Sequence, residues 1–280
     1  MKEKQVRLNG ETKLIGFFGS TYRTSKMYAM YNAAIQAMDL NFLYVPFAVH
    51  DLEKAVAGIR NLGVAAVGVT IPYKIDIMDY IDELDPNAKR VGAVSVVLNK
   101  DGKLIGGNTD GEGALRALQE KTSVKDRNII ILGCGGAARA IAFALNDEDC
   151  RITILNRTVS KAKELATAVD DSVPFGGYDS LPDLVTKDTI LINTTPVGMA
   201  NTAHEGESLV PEQLLGPDMT VMDIVSKPRE TKLLQNAGKR GCTLVYGYRM
   251  LLWQGVLKFK MYTDVEPPIE VMEEAMESIK

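Results

Sequence analysis

Three closely spaced glycines stand between an apolar run and a helix-forming run near the middle of the chain. Residues 129–132 are apolar and mostly β-branched, as in a strand buried on both faces, and residues 137–145 are rich in alanine. Gly133, Gly135 and Gly136 leave the turn between them without side chains, so a pyrophosphate could approach the backbone. The N-terminus of the following helix would offer N–H groups to that anion. This strand, turn and helix predict a dinucleotide-binding unit.

The residues after the next predicted strand indicate which dinucleotide binds. That strand covers residues 151–155, and its carboxyl end lies about 20 residues after the glycines, where the adenosine ribose is expected. A cofactor without a 2′-phosphate would favour Asp or Glu there. The chain instead has Asn156, Arg157 and Thr158, with Lys161 one helical turn later. These groups suit a dianionic phosphate, so we predict NADP rather than NAD, the alternative being that Arg157 and Lys161 are solvated surface charges.

Predicted strands and helices alternate along the whole chain, in two groups. The first group includes a helix capped by Ser25, a short helix over residues 73–81 and a hairpin turn at residues 99–102. The second group surrounds the glycine turn and reads as a Rossmann-type, doubly wound parallel sheet. The predicted class is therefore α/β. We place one domain at residues 1–109, completed by C-terminal helices in 247–280, and the cofactor domain at residues 110–246.

Composition narrows the functional class. The chain has 280 residues, of which 46% are hydrophobic and 24% charged, and a net charge of −4, which argues against a general nucleic-acid binder. No apolar run approaches the roughly 20 residues of a membrane span, and the N-terminus lacks a signal-peptide core. Three separated cysteines and two histidines form no metal-ligand pattern. We expect a cytoplasmic protein without a metal; a homodimer is compatible with the sequence, which does not fix the oligomeric state.

Six segments, collinear over nearly the whole chain, together resemble the shikimate/quinate dehydrogenase family. Each is weak alone, and their order carries the resemblance. They are Val69-Thr70-Ile71-Pro72-Tyr73-Lys74, Gly92-Ala93-Val94, Gly107-Asn108-Thr109-Asp110-Gly111, the glycine turn with Asn156-Arg157-Thr158, Asn193-Thr194-Thr195-Pro196-Val197-Gly198-Met199, and Gly247-Tyr248-Arg249-Met250-Leu251 with Gln254.

The resemblance implies an N-terminal α/β substrate domain, an NADP domain, and a role in aromatic amino acid biosynthesis. It implies reversible hydride transfer between nicotinamide and a ring hydroxyl of a shikimate- or quinate-like acid. The implied catalytic pair is Lys74 and Asp110. The implied substrate contacts are Ser25, Thr70, Ser95 and Gln254. The implied cofactor contacts are Gly133, Cys134, Gly135, Gly136, Ala137, Asn156, Arg157, Thr158, Lys161, Thr195, Ile224 and Gly247.

The chemistry of the implied catalytic pair agrees with this reaction. Oxidising an alcohol requires the hydroxyl proton to leave as the hydride departs. A lysine ammonium can hydrogen-bond the developing alkoxide oxygen, and a neutral lysine can take the proton. A nearby carboxylate orients the lysine and shares the hydrogen-bond network. Taken singly, Lys74 would more often be a solvated helix lysine and Asp110 a helix N-cap.

Four positions depart from the family where substrate is expected to bind. The second serine of a usual pair is Met27, and an asparagine usual before Val-Thr is Gly68. The usual asparagine after Gly-Ala-Val is Ser95, and a usual tyrosine is Ser226. Losing one polar contact in a buried site costs about 1–3 kcal/mol, so four losses would weaken a conventionally bound substrate by several orders of magnitude. We therefore expect an altered carboxylate-binding pocket and a different or differently placed substrate.

Two other readings of the same sequence stay open. One is a dehydrogenase of another small substrate on the same fold, such as a one-carbon folate. The other is an NADP-binding sensor, a non-catalytic homologue whose substrate site has decayed. The four departures leave the sensor reading open, whereas the presence of Lys74, Asp110 and Gln254 argues against a decayed site.

Overall fold

The computed structural model describes residues 8–19, 25–70 and 72–279, so Ile71 of the motif before Lys74 lies outside the described residues. The chain divides into two compact units. The first comprises residues 1–109 and 254–280, and the second comprises residues 110–253. The domain boundaries predicted from the sequence are 109/110 and 246/247.

The strands are short and mostly buried. In chain order they are β1 (Lys13–Gly19), β2 (Phe42–Ala48), β3 (Ala66–Val69), β4 (Glu83–Leu84), β5 (Val96–Lys100), β6 (Lys103–Gly107), β7 (Asn128–Leu132), β8 (Arg151–Leu155), β9 (Phe175–Gly176), β10 (Ile190–Asn193), β11 (Thr220–Asp223) and β12 (Thr243–Tyr246).

The helices lie between and after these strands. They are α1 (Lys26–Ala37), α2 (Leu52–Asn61), α3 (Pro86–Val91), α4 (Asp110–Gln119), α5 (Gly136–Asn146), α6 (Val159–Val169), α7 (Leu181–Leu184), α8 (Lys232–Lys239), α9 (Gly247–Thr263) and α10 (Ile269–Glu277). Short 3₁₀ helices cover Asp76–Tyr80, Tyr178–Ser180 and Glu212–Leu214. Within the described part of the chain, none of the helices combines the length and the apolar composition needed to cross a bilayer.

The first unit is built on a mixed sheet with the strand order β2-β1-β3-β5-β6-β4. β3 pairs antiparallel with β5, and β5 pairs antiparallel with β6, whereas β1 is parallel to both β2 and β3. Alternate residues of β3 separate the two faces. Val67 and Val69 join an apolar cluster with α2, while Gly68 lies against Tyr262 of α9. Both faces of the sheet are therefore covered.

The second unit is built on a fully parallel sheet with the strand order β12-β11-β10-β7-β8-β9. Ile129 and Ile131 of β7 enter one core with α4, α5 and α6, while Ile130 and Leu132 enter another with α8. A strand buried on both faces is apolar throughout, as residues 129–132 are. The predicted α/β class with a Rossmann-type, doubly wound parallel sheet is confirmed.

Local structure differs from the sequence prediction after Pro72. Residues 72–75 form turns, and a 3₁₀ helix follows at Asp76–Tyr80, where the sequence predicted a short helix over 73–81. The carbonyl of Lys74 accepts the N–H of Val94 at 2.7 Å, so it is committed to a tertiary contact instead of an α-helical turn. The hairpin is tighter than predicted, since Asp101 and Gly102 alone form its loop, both with positive φ.

Candidate functional site

The turn between β7 and α5 requires glycine at its first position. Gly133 has φ +108°, and a Cβ there would lie 2.6 Å from Oγ1 of Thr194. That hydroxyl donates to the Leu132 carbonyl at 2.6 Å, and the Gly133 N–H donates to the Leu155 carbonyl at 2.8 Å. The turn is thereby fixed to the ends of both neighbouring strands, and any side chain at position 133 would disturb it.

The rest of this turn is open and suited to an anion. Gly135 and Gly136 are exposed, and Cβ atoms built on them would have no heavy atom within 4 Å. Gly135 is the N-cap of α5 and offers no side-chain cap, so the first N–H groups of the helix face an accessible surface. A pyrophosphate could therefore approach the backbone, and the helix dipole would favour its charge. Ala137 is the next residue, half-buried.

Cys134 lies between these glycines with its side chain half-buried. Burial raises the pKa of its thiol to about 11, although the Lys161 ammonium opposes that shift. The thiol is therefore protonated at neutral pH and adds no negative charge to a loop that would face a pyrophosphate.

The carboxyl end of β8 presents cations and a second helix N-terminus. The Asn156 N–H donates to the Gly176 carbonyl at 3.1 Å, and its side-chain amide donates to the Thr158 carbonyl at 3.0 Å. These bonds fix the turn into α6, whose N-cap Thr158 makes no side-chain capping bond. Arg157, Thr158 and Lys161 are exposed. The donors suit a phosphate ester, as the sequence predicted.

The carboxyl ends of β10 and β11 are joined by a buried polar network. Asn193 donates from its amide to the Asp223 carboxylate at 3.0 Å, and its amide oxygen accepts from both the N–H and the hydroxyl of Thr195, at 3.1 and 2.7 Å. Thr231 donates to the other oxygen of Asp223 at 2.6 Å. Burial raises the pKa of Asp223 from its ordinary 3.8 to about 6, and the three donors, from Thr231, Val225 and Asn193, oppose that rise.

Gly247 brings the start of α9 onto the loop after β11. A Cβ at Gly247 would lie 2.6 Å from the carbonyl oxygens of Ile224 and Val225, so only glycine permits this approach. Ile224 is half-buried, and its N–H donates to the Asn193 carbonyl at 3.1 Å. The second unit therefore gathers Gly133, Asn156, Thr195 and Ile224 at one edge of its sheet, with Gly247 against Ile224.

The first unit carries the residues implied to contact substrate. Ser25 caps α1, and its hydroxyl accepts the Met27 N–H at 3.2 Å. Thr70 follows β3 and is half-buried, as is Lys74. Ser95 is fully buried, and its hydroxyl accepts the Thr109 N–H at 3.1 Å. Gln254 is half-buried in α9.

Asp110 is the first residue of α4 and is 3% exposed. A carboxylate at this position benefits from the positive end of the helix dipole. The position of α4 is set by its neighbour α5, since a Cβ at Gly111 would lie 2.2 Å from the Ala140 carbonyl oxygen. Asp110 belongs to the second unit and Lys74 to the first, so their pairing stays a prediction.

Two of the four positions that depart from the family lie among apolar or aromatic groups. Met27 is buried, and its sulfur lies 3.6 Å from where a Cβ of Gly255 would stand. At Gly68, a Cβ would lie 3.0 Å from the Tyr262 hydroxyl and 3.4 Å from the Tyr44 hydroxyl. An asparagine at 68 would therefore have to displace tyrosine side chains. Ser226 is exposed.

Models of known families match three successive stretches of the chain. The shikimate dehydrogenase substrate binding domain matches residues 17–97, the shikimate / quinate 5-dehydrogenase model matches residues 115–236, and the shikimate 5′-dehydrogenase C-terminal domain matches residues 247–277. A shikimate dehydrogenase (NADP(+)) of Methanobrevibacter smithii is 43% identical over 277 residues, which cover 96% of this chain and 98% of that protein. The chain belongs to the shikimate dehydrogenase family. The family predicted from the six segments is confirmed.

Solved structures of similar chains share this fold over nearly their whole length. The structure of a shikimate dehydrogenase in complex with NADP⁺ is 43% identical and matches with a TM-score of 0.91 over 97% of both chains. A 5-ketofructose reductase of Gluconobacter is 30% identical and matches with a TM-score of 0.87 over 97% of this chain and 100% of its own. Chains of this fold therefore carry names that refer to more than one substrate.

Sequence reasoning missed the side chains that support the site. Asn193 belongs to one of the six segments, and the sequence assigns no role to Asp223 or Thr231. The signal for Asn193 and Asp223 is a polar residue at the end of an apolar strand, a position that faces the ligand edge of a parallel sheet. The described residues contain no group of three or more His, Cys, Asp or Glu side chains that could hold a metal ion.

The raised pKa of Asp223 predicts a pH-dependent stability. The folded protein retains the Asp223 proton up to pH about 6, whereas the unfolded chain loses it near 3.8, so the stability contributed by protonation is lost as the pH rises through about 6. Asp223→Asn cannot ionise. From pH 4.5 to 7.5 the variant should therefore gain about 2 kcal/mol of unfolding free energy relative to the wild-type protein, measured by urea denaturation. A difference that does not change with pH would refute the shift.

Proposed function

We propose that this chain is an NADP-dependent oxidoreductase of the shikimate dehydrogenase type, which interconverts a ring hydroxyl and a ketone of a shikimate- or quinate-like acid. The observation that carries the proposal is the 43% identity, over nearly the full length of both chains, to a protein named shikimate dehydrogenase (NADP(+)). The chain also contains all six segments of the family resemblance. Its open glycine turn and the exposed cations after β8 fit a phosphorylated dinucleotide.

The second unit would hold NADP at the carboxyl edge of its sheet. The backbone of residues 133–137 and the start of α5 would bind the pyrophosphate, because a helix N-terminus offers aligned N–H groups and positive partial charge. Arg157, with Asn156, Thr158 and Lys161, would bind the 2′-phosphate. Thr195, Ile224 and Gly247 would contact the nicotinamide half. The bound nicotinamide supplies the hydride acceptor for alcohol oxidation.

Lys74 and Asp110 would manage the proton of the reacting hydroxyl. In oxidation, the neutral amine of Lys74 would accept the proton of the reacting hydroxyl; in the reverse direction, its ammonium would donate that proton to the ketone oxygen, where negative charge develops during reduction. Asp110 has a buried side chain at the N-terminus of α4. Its carboxyl group would orient the Lys74 amine by a hydrogen bond and share the hydrogen-bond network of the site.

The carboxylate-binding part of the substrate site is altered. The hydroxyl of Ser25 caps α1 by accepting the Met27 N–H. Met27 has a buried thioether at the position where the family's second serine would offer a hydroxyl to an anion. Gly68 offers no side chain, and the groups nearest to its Cβ position are the Tyr262 hydroxyl, the Phe17 ring and the Tyr44 hydroxyl. Ser226 replaces a phenol with a shorter hydroxyl. These changes favour a substrate that depends less on hydrogen bonds to its carboxylate than shikimate does.

A substrate panel tests this proposal. The wild-type protein should reduce NADP⁺ with at least one of shikimate, quinate and related cyclic hydroxy acids, and its kcat/KM for shikimate should lie below that for the preferred compound. The panel should also measure the reduction of a keto sugar by NADPH, because the Gluconobacter protein is named a 5-ketofructose reductase. Shikimate as the preferred substrate would remove the altered-pocket proposal, and no turnover of any compound would remove the enzymatic one.

The alternative of a non-catalytic NADP-binding sensor rests on the same altered positions. A substitution of Lys74 distinguishes the sensor from the enzyme. In an enzyme, Lys74→Ala should lower kcat by about 10²- to 10⁴-fold, the usual contribution of a general acid–base group, while the Kd for NADPH stays within about twofold. Lys100→Ala, an exposed lysine of the same unit, is the matched control and should leave kcat unchanged. Unchanged turnover in Lys74→Ala would exclude its catalytic role.

A further inference from the structure

Asp223 is a carboxylate with no exposed surface at the last position of β11. Its two oxygens accept three hydrogen bonds from three separate segments. Oδ1 accepts the amide of Asn193 at 3.0 Å and the N–H of Val225 at 3.1 Å, while Oδ2 accepts the hydroxyl of Thr231 at 2.6 Å. An ionised carboxylate is an acceptor with room for each of these donors.

One branch of this network leads to the loop after β10. The Asn193 amide has one orientation in which its nitrogen donates to Asp223 and its oxygen accepts from Thr195. The same nitrogen also donates to the Val197 carbonyl at 3.3 Å. Asp223 thereby selects the orientation of Asn193, and Asn193 fixes both the backbone and the hydroxyl of Thr195.

A second branch leads to the loop after β11. The bond from the Val225 N–H bends the chain immediately after the strand, and the Ile224 N–H donates to the Asn193 carbonyl at 3.1 Å. Gly247 then packs directly on the carbonyls of Ile224 and Val225. The backbone that Gly247 contacts is therefore the backbone that Asp223 holds.

The third hydrogen bond, from the Thr231 hydroxyl to Oδ2 of Asp223, connects the carboxylate to a helix. Thr231 is the N-cap of α8, and its hydroxyl also accepts the Leu234 N–H at 3.4 Å. This branch anchors a helix. Thr231 also packs on the loop after β10 through its carbon atoms, since a Cβ at Gly198 would lie 3.3 Å from the Thr231 Cβ. Thr231→Val keeps those carbon atoms and removes only the hydroxyl, so it is a matched reference for Asp223 that leaves the hydrogen bonds to Thr195 in place.

We propose that Asp223 is a positioning residue of the cofactor site, which holds Thr195 and the Ile224–Val225 backbone in one fixed arrangement before the dinucleotide binds. The proposal rests on the proposed NADP site and adds a residue that would not itself touch the cofactor. Pre-ordered contacts bind more tightly because less ordering remains to be done on binding. Removing the Oδ1 acceptor should release both loops together.

The test compares three variants by titrating NADPH fluorescence without substrate and by thermal unfolding. Asp223→Ala removes Oδ1 and should raise the Kd for NADPH about tenfold or more, the loss expected for a hydrogen bond to a charged group. Asp223→Asn keeps an acceptor for Asn193 and Val225 and should stay within about twofold of the wild-type Kd. Thr231→Val should lower the unfolding temperature and leave the Kd within about twofold.

A purely structural role predicts a different pattern. If the Kd rose in Thr231→Val as much as in Asp223→Ala, or if Asp223→Ala bound NADPH normally, the proposal would be overturned. Should Asp223→Ala fail to fold, Asn193→Ala cuts the link to Thr195 from the other side and must raise the Kd in the same way. The titration needs no turnover, so a chain inactive on every hydroxy acid would end the proposed reaction and leave this test intact.

Discussion

The parallel direction of every strand in the second unit is the constraint on which its chemistry depends. Because β7, β8, β10 and β11 run the same way, their carboxyl ends meet at one edge, and the residues that follow them are collected there. Gly133, Asn156, Thr195 and Ile224 reach this edge from segments up to 91 residues apart in the chain. The common direction of the strands is enough to bring these four residues to the same edge.

The two units meet different physical demands. The cofactor unit keeps its ligand edge open with glycine, and it buries a charged network, Asn193 with Asp223, whose desolvation is offset by three hydrogen bonds. The first unit fills the space beside Gly68 with tyrosines, and the hydroxyls of Tyr31 and Tyr262 are buried without a hydrogen-bond partner among the described residues. The packing around Gly68 is the structural feature on which the proposed change in the substrate site rests.

The sequence predicts those features that depend on neighbouring residues. The strand at residues 151–155, the cap at Ser25 and the glycine turn each rest on a local pattern, and the structure has them at the predicted positions. It could not predict that the Lys74 carbonyl would be taken by Val94, or that Asn193 and Asp223, which are 30 residues apart, would share a hydrogen bond. Those contacts depend on strand order and register, which no single stretch of sequence encodes. Ser95 shows the same limit, since its hydroxyl accepts the N–H of Thr109, 14 residues later in the chain.

In the proposed function, this edge binds NADP and Arg157 holds the 2′-phosphate. The direct measurement is the ratio of the dissociation constants for NADH and NADPH, in the wild-type protein and in Arg157→Ala. A bidentate guanidinium–phosphate contact should make the wild-type ratio about tenfold or larger, and the variant should lose most of that preference while its affinity for NADH stays the same. Equal affinities in the wild-type protein, or a preference that survives the loss of Arg157, would contradict this account.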